Sequence, residues 1–179
     1  LAAVLLKMGT YGFVRIAIPF LPEGAVAWAP WIGLLAVIGF IYGALGCLAQ
    51  TDMKRLIAFS SVAHMGFVML GIATLTDFGI NAAIMGMVAH GLITGMLFFV
   101  AGSVKDRFHT LEISRLGGLL VQAPRMGWVF GFCIMASLGL PGLAGFWGEF
   151  PAILSAYQPA NGVPVEVFRA YMVLSPIHI

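Results

Sequence analysis

The chain has 179 residues, of which 61% are hydrophobic and only 9% charged, with a mean hydropathy of +1.02 and a formal net charge of +2. Soluble globular domains carry about 25% charged and about 45–50% apolar residues. A soluble enzyme or nucleic-acid-binding module is therefore excluded, and the composition fits a polytopic membrane protein whose charges matter by position rather than by sum.

The chain opens on the apolar run Leu1-Ala2-Ala3-Val4-Leu5-Leu6. It has neither a charged n-region nor a small-residue cleavage site, so no signal peptide is read there, and a fragment that begins inside a helix is expected. A membrane span needs about 20 apolar residues. Five segments fit: Leu1 to Pro19, Trp31 to Gln50, Leu56 to Thr76, Ala82 to Gly102, and Met126 to Tyr157. A sixth is expected to begin near Val165. As a straight helix, Met126 to Tyr157 would be about 48 Å long, too long for one span. Pro141 removes a backbone donor inside it, and Gly142, Gly145 and Gly148 add backbone freedom. One discontinuous helix, broken near Pro141, is predicted in preference to two short spans.

The connections alternate in charge. The expected loops Phe20 to Pro30 and Gln158 to Pro164 hold no Lys or Arg, and the third holds only Asp77. By contrast, Thr51 to Arg55 carries Lys54 and Arg55, and Ser103 to Arg125 carries Lys105, Arg107, Arg115 and Arg125. These six of the nine basic residues fall on alternate connections, which the positive-inside rule assigns to the cytoplasm. Splitting Met126 to Tyr157 in two would break that alternation. The segment Phe108 to Val121 is weakly amphipathic and is expected along the interface.

Ionisable residues inside spans are rare and mark function by default. Four remain at depth: Lys7, His64, His90 and Glu149. Lys7 shares a helix face with Thr10 and Tyr11. An apolar site favours its neutral amine, so it is a candidate proton carrier; snorkelling from a helix end is the alternative. His64 shares a face with Ser60 and Ser61 and lies about 12 Å into its span, with His90 at a similar count from the opposite surface and about 6 Å away in depth. Histidine suits proton relay near neutral pH, since its unperturbed pKa is about 6.5; packing is the alternative for each ring taken singly. Glu149 lies eight residues past Pro141, beside the helix break. Burial favours its neutral acid and a nearby cation its carboxylate, so it can act as a gate; a static ion pair with an arginine of another subunit is the alternative. Arg15 lies nearer a helix end and can snorkel. Cys47 and Cys133 both fall within apolar spans and are read as packing residues. No local ligand spacing supports a metal site, and no glycine-rich run after a strand supports nucleotide binding.

Several stretches together resemble one family. They are Leu6-Lys7-Met8-Gly9-Thr10-Tyr11-Gly12, Gln50-Thr51-Asp52-Met53-Lys54-Arg55-Leu56-Ile57-Ala58, Ser60-Ser61-Val62-Ala63-His64-Met65-Gly66, Ala89-His90-Gly91, and Gly139-Leu140-Pro141-Gly142 followed by Phe146-Trp147-Gly148-Glu149-Phe150. The chain resembles the antiporter-like subunits of respiratory complex I, the proton-pumping NADH:quinone oxidoreductase. Arg107-Phe108-His109-Thr110 and Arg115-Leu116-Gly117-Gly118 point to one branch of it. The resemblance runs to about Leu174.

The resemblance implies an all-α transmembrane bundle of the antiporter-like inverted-repeat fold. Residues 1–179 would form a single membrane domain, about helices 8 to 13 of the family fold. Lys7 matches the lysine of the eighth helix, His64 and His90 the central histidines of the tenth and eleventh, and Glu149 the carboxylate of the broken twelfth. The implied path runs along Lys7, His64 and His90, with water between, to or past Glu149. The implied subunit carries no redox centre and no cofactor, and is driven by quinone reduction elsewhere in the complex. Its implied partners are other membrane-arm subunits and the lipid bilayer, with no nucleic acid, in a bacterial inner membrane. A subunit of a multi-subunit sodium/proton antiporter and a purely structural arm subunit are the rival readings. The chain departs from the family pattern at Leu111, where a basic residue is common, and in the tail Ser175-Pro176-Ile177-His178-Ile179, which does not continue an apolar helix; a truncated or mis-joined reading frame is expected there. The family's first-half glutamate and lysine lie outside this sequence.

Overall fold

A computed structural model describes residues 3–175. The start of the first expected span, Leu1 and Ala2, and the tail from Pro176 to Ile179 lie outside the described residues.

Among the described residues the chain is helical, with one isolated antiparallel bridge. Helix α1 (Leu5–Gly12) passes through a π-helical turn (Phe13–Ala17) into α2 (Ile18–Phe20). Helices α3 (Pro22–Leu48), α4 (Met53–Ala73) and α5 (Asp77–Phe108) are each long and apolar enough to cross a membrane. A 3₁₀ turn (Ile113–Arg115) and the short α6 (Leu119–Gln122) precede α7 (Pro124–Ser137), α8 (Ala144–Ser155) and α9 (Val165–Leu174).

The discontinuous helix is present. Its pieces, α7 and α8, have 14 and 12 residues. They are about 21 and 18 Å long, each well short of a hydrocarbon core about 30 Å thick. Gly139 and Gly142 stand in the left-handed region between them, at φ +66° and +96°. The sixth helix begins at Val165, as the sequence predicts.

Two expectations are corrected. The first connection is the single residue Leu21, because α3 starts at Pro22 rather than Trp31. Pro22 occupies the first helical position, where its missing N–H is no loss. Glu23 favours the positive end of the helix dipole, and Ala25, Ala27 and Ala29 are strong helix formers. Pro30 is carried inside the helix, and its carbonyl accepts a hydrogen bond from Tyr171 Oη at 3.1 Å. Secondly, α5 runs past the expected end at Gly102 to Phe108, so Lys105 and Arg107 lie in its last turn rather than in a loop. There their charges oppose the negative end of the helix dipole. His109, at φ 55°, closes the helix through its N–H to Lys105 O at 2.8 Å.

Side-chain caps fix where α4 and α5 begin. Asp52 accepts from Arg55 N and Thr76 from Gly79 N, both at 3.0 Å. Each satisfies a backbone donor that the first helical turn leaves unpaired.

The connections meet at two opposite ends of α4. At one end, Met53 N donates to Leu111 O and Ile113 N to Thr51 O, both at 2.9 Å, joining the two basic connections. At the other end, Ala160 N donates to Thr74 O at 2.9 Å, joining two connections without Lys or Arg. This pairing reproduces the alternation read from charge. The segment expected along the interface folds over the basic end, where Leu111, Leu116 and Leu119 pack against Met53 and Ile57.

The largest buried apolar cluster among the described residues lies between α3, α4 and α9. Phe40 and Phe67 stack there with ring centroids 5.1 Å apart and planes 7° from parallel. Large apolar side chains such as Leu35, Leu92 and Phe99 face outward, as lipid contact permits.

Candidate functional site

The four ionisable residues singled out at membrane depth come together from four helices. Lys7 is carried by α1, His64 by α4, His90 by α5 and Glu149 by α8. Lys7 Nζ lies 2.7 Å from His90 Nδ1, and both side chains are buried. His64 Nδ1 lies 2.7 Å from Glu149 Oε1. Between these pairs the two imidazoles face one another with centroids 4.9 Å apart.

The spatial order is therefore Lys7, His90, His64, Glu149. The expected order of the histidines followed their order in the chain, and the helix packing reverses it. Thr10 Oγ1 donates to Met87 Sδ at 2.9 Å, which ties α1 to α5 and brings Lys7 to the histidine of that helix. Direct contacts replace the expected water-filled gaps at both ends of the row. Water has room in a large cavity of about 910 Å³ that reaches His64, Ser137 and Glu149, and, beside both histidines, in a second cavity of about 20 Å³. The second has space for about one molecule.

Two hydroxyls complete the site and were not singled out in the sequence. Thr94 Oγ1 sits 3.1 and 3.2 Å from the two ring nitrogens of His90. Ser137 Oγ is 3.0 Å from His64 Nε2. Both had a positional signal: Thr94 is one helical turn beyond His90, and Ser137 is the last residue of α7 before the break. Ser60 and Ser61, which share a helix face with His64, turn instead to the carbonyl of Ile57 at 2.8 and 3.1 Å. Tyr11 and Arg15 are exposed, His109 is a helix cap, and Cys133 packs in an apolar cluster. Both cysteines are free thiols.

The helix break gives Glu149 its position in two ways. A Cβ on Gly148 would strike the Cα and N of Gly86, so α5 and α8 cross with their backbones in direct contact. This sets the next residue, Glu149, against α4. A Cβ on Gly139 would stand 2.7 Å from Glu149 Oε2, so the carboxylate occupies space that a side chain there would need. Gly139→Ala is expected to lower the stability of the protein by about 1–2 kcal/mol through its left-handed backbone alone. It is also expected to displace the carboxylate from His64. Thermal unfolding checks the first effect, and the His64–Glu149 separation in a structure of the variant checks the second.

Across this chain, residues 1–172 match the family described as NADH:quinone oxidoreductase/Mrp antiporter, TM. The chain belongs to this family. It is an integral membrane protein with the antiporter-like fold. NAD(P)H-quinone oxidoreductase chain 4 1 of Synechococcus sp. (strain JA-2-3B'a(2-13)) is 43% identical over 185 aligned positions, covering 100% of this chain and 35% of the relative. NADH-quinone oxidoreductase subunit M of Rhodobacter capsulatus is 48% identical over 158 positions, covering 88% of this chain and 31% of the relative. The branch indicated by the basic loop is thus the one its relatives occupy. Among solved structures, a chain of respiratory complex I from Thermus thermophilus superposes with a TM-score of 0.83 at 35% identity, over 96% of this chain and 37% of that one. A chain of the Mrp complex from Dietzia sp. DQ12-45-1b superposes with a TM-score of 0.82 at 22% identity, over 96% of this chain and 32% of that one, a likeness of fold alone. The chain spans about a third of the length of the curated relatives it matches.

Proposed function

We propose that this chain forms part of a proton-translocating subunit in the membrane arm of an NADH:quinone oxidoreductase. The observation that carries the reading is the row Lys7, His90, His64, Glu149, assembled from four helices at membrane depth. Each member can take up or release a proton, and neighbouring members lie within hydrogen-bonding or ring-contact distance. In this reading a proton passes from Lys7 to His90, crosses to His64 by ring movement or one intervening water, and reaches Glu149. A change of charge at Lys7 alters the proton affinity of His90 beside it, since neighbouring charges act strongly between buried groups.

Oxidoreduction belongs to other subunits in this proposal, and the present chain needs no cofactor of its own. Its partners would be the other membrane-arm subunits, and its location a bacterial inner membrane. The fold is shared with an antiporter complex, but identity favours the quinone-reductase branch: 35% to the complex I chain against 22% to the Mrp chain.

Lys7→Gln in the full-length subunit tests the reading. It keeps a polar side chain but removes the exchangeable charge. Proton translocation per electron, measured in closed membrane vesicles with NADH and quinone, is expected to fall about a hundredfold or more, as for loss of a general acid–base group. A wild-type ratio would favour the structural-arm reading.

A further inference from the structure

Both nitrogens of His64 are engaged, and neither bond leads to His90. Nδ1 meets Glu149 at 2.7 Å, and Nε2 meets the Ser137 hydroxyl at 3.0 Å. His90, for its part, meets Lys7 and Thr94. The row is thus two hydrogen-bonded pairs whose rings touch at 4.9 Å, with no hydrogen bond between the rings among the described residues. For a proton to cross, one nitrogen of His64 must leave its partner.

We propose that Ser137 is a positioning residue that latches His64 towards Glu149, so that exchange with His90 proceeds only when the Ser137–His64 bond opens. Ser137 is suited to this role by its place. It is the last residue of α7, immediately before the break, whereas His64 and Glu149 stand on α4 and α8. A shift of α7 relative to α8 therefore changes the Ser137–His64 distance without changing any residue of the row. The cavity of about 20 Å³ beside both rings gives the freed imidazole room to turn or to take one water. A serine hydroxyl both donates and accepts, so it holds either neutral tautomer of His64. The proposal rests on the proton-relay reading for its consequence, but the latch itself is a statement about the ring of His64.

The test uses the full-length subunit in its assembled complex, in lipid vesicles. Nitrogen-15 resonances of His64, assigned by their loss in His64→Gln, report the hydrogen bonding of its ring. In Ser137→Ala the Nε2 signal is expected to shift and to broaden by exchange. Passive proton leak across the vesicle membrane is expected to rise about fivefold, the change that losing one net hydrogen bond makes. Ser137→Thr, which restores a hydroxyl, should reverse both effects. Ser137→Cys, a weaker donor of similar size, reads the same bond if the alanine variant does not assemble. A wild-type His64 signal in the alanine and cysteine variants overturns the latch. Where Lys7→Gln has lowered pumping, so does a leak that stays at the wild-type value while the signal moves. Failure of the relay reading is seen separately, as wild-type pumping in Lys7→Gln, and the His64 signal reads the latch in either case.

Discussion

Replacing Glu149 by Gln is expected to abolish redox-coupled proton pumping while leaving the fold in place. Gln matches Glu in shape and still offers an oxygen to His64 Nδ1 at the position now 2.7 Å away. It cannot accept a proton and cannot carry a negative charge. The row would then end at His64, and its far terminus would lose the group that takes protons onward. Loss of an acid–base residue lowers rates by about a hundredfold to ten-thousandfold where proton transfer limits turnover. Proton uptake by vesicles during NADH oxidation should therefore fall to background, with the subunit still present in the membrane. Pumping at the wild-type ratio would show that the carboxylate is a static partner of His64.

Gly148→Val is expected to have the larger effect on structure. The Cβ of any residue at position 148 would overlap the backbone of Gly86, and a branched side chain could not turn away within a helix. The two helices would have to separate. Van der Waals contact, which drives helix association in lipid where a hydrophobic force is lacking, would be lost along the α5–α8 crossing. Overpacking of this kind lowers stability by about 1–3 kcal/mol, or more when only backbone faces the intruding group. The expected result is little assembled subunit, seen by quantitative blotting of membranes. Any assembled fraction should have Glu149 displaced from His64. Gly148→Ala should show the same defect more weakly, whereas normal assembly of both variants would mean that the backbones do not touch.

Much of this was legible in the residues. The apolar runs marked the spans, the alternation of Lys54 and Arg55 with Glu23 and Asp77 ordered the connections, and Pro141 with its glycines marked the break. Lys7, His64, His90 and Glu149 stood out because ionisable groups are so rare in these segments. Helix ends were less legible. Pro22 and Pro30 look like punctuation, yet the first begins α3 and the second is tolerated inside it. The order of the histidines was hidden because it depends on which helices pack together, through contacts such as Thr10 with Met87. Ser137 was hidden for another reason: one hydroxyl in an apolar helix is unremarkable until the partner it faces is known.

The ties at the two ends of α4 have a mechanical meaning. Thr51 and Met53 are bonded to the segment around Leu111 and Ile113, and Thr74 to Ala160. The helix that carries His64 is thus a strut pinned at both ends, and α8 is pressed against α5 at Gly148. The interrupted helix keeps one compliant joint, between Ser137 and Ala144. Motion imposed on this bundle by its neighbours would concentrate at that joint, so the serine swings while the helices that carry the imidazole and the carboxylate stay where they are.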